Sequence, residues 1–77
     1  MIQAREMRWQ TLAMRISSNI KKIRQEKGLS QEKAAEKAED ISWRYWQYIE
    51  AGKRNYSLKT LVRVAKALNV DPKDLLL

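Results

Sequence analysis

Hydroxyl start signals and glycine stop signals cut this chain into segments too short for anything except a bundle of brief helices. Ser30, Ser42 and Ser57 each stand where an N-cap is wanted, and Gly28 and Gly52 stand where a helix must end in a left-handed residue. Between these marks apolar residues recur at three- and four-residue spacing. Leu12, Ile16, Ile20 and Ile23 form such a stripe, with Arg15, Lys21, Lys22 and Arg24 between them, so a first helix runs to about Lys27. Its lysine suits the negative end of the helix dipole.

Ser30 opens a second helix with an acidic first turn, and Lys33 takes the position of the reciprocal capping-box residue. Its inward side is made of Ala34, Ala35 and Ala38, and it ends near Ala38. Small side chains there let another helix cross at close range. A third helix spans Ser42 to Ala51, with Trp46 and Ile49 inward and Gly52 as its stop. After the polar turn at 53–56, Ser57 caps a fourth, whose expected stripe is Leu58, Leu61, Val62, Ala65 and Leu68. Asp71 and Pro72 announce a fifth, short helix ending in Leu75, Leu76 and Leu77. Residues 1–14 contain no breaker, so the first helix is free to begin as early as Ala4, with Trp9 extending its stripe. A frayed arm, a longer helix and a surface for a second subunit all remain open for that extension.

Seventy-seven residues allow one core, here assigned to residues 15–77 with 1–14 as an N-terminal extension. Without cysteine or histidine, and without carboxylates at ligand spacing, neither a disulfide nor a metal is expected to support that core. The same absences leave no catalytic residue and no cofactor site to name, so an enzyme is not expected. No run reaches the length needed to span a bilayer and no signal-peptide layout opens the chain, which points to a cytoplasmic protein. Sixteen Lys and Arg against nine Asp and Glu give a net charge of +7, and a polyanion is the natural partner.

Two short helices joined by a tight turn form a helix-turn-helix pattern. The segments IKKIRQEKGLSQEKAAEKA, YIEAGKRN and SLKTLVRVAKALNVDPKDLL, in that order and spacing, make the stretch from Ile20 to Leu77 resemble the Xre/Cro-type family of bacterial and phage transcriptional repressors. The resemblance implies an all-α, five-helix, lambda-repressor-like domain. It implies sequence-specific binding to a double-stranded DNA operator in the major groove, transcriptional regulation, most simply repression, and a homodimer on a two-fold site. No small-molecule effector is expected within this chain.

By the roughly 3.6-residue period, the side chains facing away from Trp46 and Ile49 are Trp43, Arg44, Gln47 and Tyr48, which are therefore the expected base contacts. The resemblance implies phosphate contacts at Gln31 and at Lys53, Arg54 and Asn55, and Ser42 is expected to make another. The resemblance gives Gln31 a second role, orienting a side chain at the start of the recognition helix, and makes Arg24 and Glu50 a partly buried ion pair. It also places Ala35 at the crossing of the second and third helices.

The chain departs from the family pattern in two places. Four of its six aromatic residues, Trp43, Tyr45, Trp46 and Tyr48, crowd into the recognition helix, and Trp46 replaces a branched aliphatic core residue. The turn Glu39-Asp40-Ile41 is one residue longer than usual and lacks glycine, so Asp40 is expected to adopt the left-handed conformation. The aromatics support a competing reading, a protein-interaction module of antitoxin-like or accessory kind that uses this helix as its contact surface.

Overall fold

In the computed structural model, which describes residues 8–52 and 55–77, the chain forms four α-helices and a closing 3-10 turn. Helix α1 spans Trp9–Glu26, α2 Gln31–Lys37, α3 Trp43–Ala51 and α4 Leu58–Leu68. Each serine start signal acts as an N-cap: Ser30, Ser42 and Ser57 accept from the backbone N–H groups of Lys33, Tyr45 and Thr60. These bonds satisfy amides that a helix cannot satisfy by itself. Gly28 follows α1 with a φ of +71°, and the backbone bonds from Gly28 to Gln25 and from Leu29 to Arg24 close a Schellman motif. Asn69, at φ 58°, closes α4 in the same manner without a glycine.

The core is assembled from Ile16 and Ile20 of α1, Trp46 and Ile49 of α3, and Val64 and Leu68 of α4, with Ala34 and Ala35 of α2 sealed beneath them. Ala34 retains no exposed surface and Ala35 little, so α2 lies close against α3 with no bulky side chain between them. Gly52 ends α3 at a φ of +74°, with the Cα of Met14 in α1 at ordinary contact distance, 3.4 Å, from where its Cβ would stand. The turn between α2 and α3 carries Asp40 at φ 57° and places Ile41 in the core. Arg63 of α4 pairs with the exposed Asp40 carboxylate at 3.5 Å.

Three packing details differ from those expected. The anticipated fifth helix is a four-residue 3-10 turn, Pro72–Leu75, held by a capping box between Asp71 and Asp74. Leu75 drops fully into the core there, and so few residues cannot establish an α-helical ladder. In α4 the buried apolar set is Leu61, Val64, Ala65, Ala67 and Leu68, with Thr60 buried beside it, whereas Leu58 and Val62 are 80% and 50% exposed. Leu61, Val64, Ala65 and Leu68 follow the i, i+3, i+4, i+7 rule, and Val62 lies one step round the helix from that face. Trp9 and Leu12, both expected inside, are 51% and 36% exposed and line an open groove with Leu58 and Leu76. The start of α1 seen here is Trp9, and a start at Ala4 lies outside the described residues.

Candidate nucleic-acid interface

Helix α3 has one face bound into the protein and one left open. Trp46 and Ile49 are fully buried, and Tyr45 is half-buried against the same core. On the other side Trp43, Arg44, Gln47 and Tyr48 are all exposed. The two flanking aromatics retain 50% and 44% of their surface. Together they make a ridge one helix wide, mixing one cation, one amide and two aromatic rings. The N-terminal end of the ridge is edged by a shallow groove in which Glu32 and Glu36 of α2 stand beside Trp43.

What holds α3 in place is the carboxylate of Glu50. Arg24 of α1 donates to it twice, from Nε to Oε2 at 2.6 Å and from one terminal nitrogen to Oε1 at 3.0 Å. Gln31 of α2 donates to Oε1 at 3.1 Å, and the indole nitrogen of Trp46 donates to Oε2 at 2.5 Å. The side chains of Arg24 and Glu50 retain only 10% and 4% of their exposure, so this is a largely desolvated pair. Arg24 also donates to the backbone carbonyl of Leu29, which leaves few of its donors unused. One carboxylate therefore joins three helices.

Burial by itself raises the Glu50 carboxyl, but the hydrogen bonds from Arg24, Trp46 and Gln31, with the charge of Arg24, outweigh it and hold the group below the ordinary Glu range. A depressed carboxyl stabilises the fold fully above the unfolded value of about 4.3 and loses that contribution as pH falls through the lower folded value. Denaturation midpoints are accordingly expected to be flat from neutral pH down to about 5 and to drop below it, with Glu50→Gln removing part of the acid-side slope. An acid limb identical in the two proteins would show that Glu50 does not carry it.

A second junction lies beside the first, on the backbone of the neighbouring residue of α3. The hydroxyls of Ser17 in α1 and Tyr56 after α3 converge on the carbonyl oxygen of Ile49, each at 2.5 Å, and contact one another. Burial pushes the Tyr56 hydroxyl above its usual range, so it stays protonated and able to donate. Nothing in the local sequence pattern joins residues so far apart as Ser17 and Tyr56, and sequence reasoning did not find them. The Trp46–Glu50 bond was also missed, although its i, i+4 spacing on one helix was visible.

Of the expected phosphate contacts, Ser42 is exposed at the α3 N-terminus with its hydroxyl committed to the cap. Gln31 is half-buried and reaches Glu50 near the end of α3, rather than a side chain at its start, because the buried carboxylate lies within its reach. Asn55 is exposed beyond the end of α3, and Lys53 and Arg54 lie outside the described residues. Among the described residues no helix is long and apolar enough to cross a membrane, and no cluster of acidic, His or Cys side chains is placed to hold a metal.

A short helix crossing over alanines onto a second helix, which is locked behind and open in front, defines a helix-turn-helix domain. A family model described as helix-turn-helix matches residues 20–75, and the chain belongs to that family. It is 40% identical over 55 residues to the HTH-type transcriptional regulator y4dJ of Sinorhizobium fredii, covering 71% of this chain and 70% of that one. It is 45% identical over 58 residues to the control protein C.BamHI of Bacillus amyloliquefaciens, covering 74% of this chain and 70% of the relative. Among solved structures it is similar to the restriction-modification controller protein C.AhdI from Aeromonas hydrophila, with a TM-score of 0.78 and 30% identity over 86% of this chain and 94% of that chain.

Proposed function

We propose that this protein is a transcriptional regulator, akin to the controller proteins it resembles, that places α3 in the major groove of a specific double-stranded DNA operator. The observation that carries the reading is the open ridge of Trp43, Arg44, Gln47 and Tyr48 on a helix whose opposite face is fixed by the core and by Glu50. Arg44 donates in bidentate fashion to guanine, Gln47 pairs with adenine, and Trp43 and Tyr48 meet thymine methyl groups or the sugar-phosphate edge. Phosphates are held by Ser42 and Asn55, by Lys53 and Arg54, and by Gln31 in addition to its bond to Glu50.

The active species is a homodimer acting on a two-fold operator in the cytoplasm. Support for self-association comes from a groove of about 300 Å³ that joins the start of α1 to the chain end and includes Trp9, Leu12, Leu58 and Leu76. Among the described residues no lining residue is charged, and in a chain of net charge +7 such a face lets two copies approach with least repulsion. Residues 1–14 act as an extension of the reading domain at 15–77.

Selection from a random duplex pool tests the proposal. Enrichment of a palindrome, bound with an affinity that falls steeply as salt rises, is the expected result. The exposed Trp43 and Tyr48 favour one rival, a protein-binding helix surface, which predicts no enriched motif and little salt dependence.

A further inference from the structure

The Glu50 carboxylate accepts four hydrogen bonds, two on each oxygen, and about four is the full acceptor capacity of such a group. Three come from other helices, from Arg24 and Gln31. The fourth comes from Trp46, one turn earlier on α3 itself, whose ring has no exposed surface. A branched aliphatic side chain in this place would fill space but offer no donor. We propose that Trp46 is a positioning residue for DNA reading: its indole N–H holds the Glu50 carboxylate in the one orientation that fits Arg24 and Gln31, and so sets the rotation of α3 against α1 and α2.

The argument is geometric. Glu50 has rotatable bonds between its carboxylate and α3, so an ion pair alone would leave the orientation of the carboxylate, and with it the fine setting of the packed helix, less sharply defined. A buried donor fixed to the same helix removes that freedom, because the carboxylate must satisfy the indole and the guanidinium on the same oxygen. Trp43, Arg44, Gln47 and Tyr48 share the rigid helix, so a small rotation moves their tips across the spacing of base edges. Trp46 thereby acts on specificity without touching DNA.

This inference rests on the reading of α3 as the recognition helix, and the experiment separates the two. Full-length protein carrying benzothienylalanine at position 46, which retains the ring shape and replaces N–H by sulfur, is compared with the parent and with Ile49→Val. The last variant removes a buried methyl from the same helix and no donor. Benzothienylalanine is expected to raise the Glu50 titration midpoint, followed by carboxyl NMR without DNA, and to reduce the ratio of operator to random-duplex affinity about tenfold. Ile49→Val is expected to lower stability while leaving both readouts in place. Should the sulfur analogue fold poorly, Trp46→Phe supplies the same two readouts. An unchanged Glu50 titration, or an unchanged affinity ratio in a parent that selects its operator, overturns the role given to Trp46. A parent that selects no duplex overturns the DNA-reading proposal instead, and the Glu50 titration still reports whether the indole holds the carboxylate.

Discussion

Glu50→Ala is expected to leave the domain largely unfolded at room temperature. The guanidinium of Arg24, 10% exposed, would lose both of its carboxylate bonds and keep only the Leu29 carbonyl, while the buried Trp46 indole N–H would have no acceptor. Breaking one side of a buried ion pair costs about 3–5 kcal/mol, and an orphaned buried donor adds about 1–3 kcal/mol. Small domains have total stabilities near the lower end of about 5–15 kcal/mol, so the loss is comparable with the whole. A denaturant titration followed by helical circular dichroism measures it directly. The double replacement Arg24→Met with Glu50→Leu restores much of the loss, since desolvation offsets most of the pair's attraction. A Glu50→Ala protein melting like its parent would show that the carboxylate is no junction at all.

Arg44→Ala is expected to have the largest effect on recognition and almost none on stability. The side chain is exposed and takes no part in the core, so the melting transition stays within about 0.5 kcal/mol of the parent. A bidentate contact to guanine contributes about 1–3 kcal/mol of discrimination, and a dimer makes it in both half-sites. Affinity for the selected operator therefore falls on the order of 10²-fold or more, whereas affinity for random duplex falls only by the loss of one charge per subunit. Fluorescence anisotropy with the two duplexes distinguishes these outcomes. Equal losses on both would assign Arg44 to the phosphate backbone.

The helix boundaries were readable because their causes are local. A serine hydroxyl satisfies an amide three residues on, and a glycine admits positive φ, so Ser30, Ser42, Ser57, Gly28 and Gly52 act as their identities require. Asp40 likewise takes the left-handed conformation that its turn demands. The inward set of α3 and its exposed complement followed from one turn of periodicity. Other features depend on which elements meet. Leu58 belongs to the apolar stripe of α4 by spacing, yet it stays 80% exposed while Thr60 and Leu61 of the same turn are buried. Leu75 lies in a terminal segment too short for an α-helix but is drawn into the core after α4 has turned the chain back. The clamp of Ser17 and Tyr56 on the Ile49 carbonyl, and the choice of Glu50 by Gln31, arise from tertiary proximity that no window of sequence contains.

The two faces of α3 have separate duties, and this has an evolutionary consequence. Trp46, Ile49 and Glu50 secure the helix, whereas Trp43, Arg44 and Gln47 are exposed and lie outside the hydrophobic core. Descendants of this chain are thus free to drift in operator preference through three codons without passing through unstable intermediates. A retargeted regulator can be built on the same scaffold by exchanging those side chains alone.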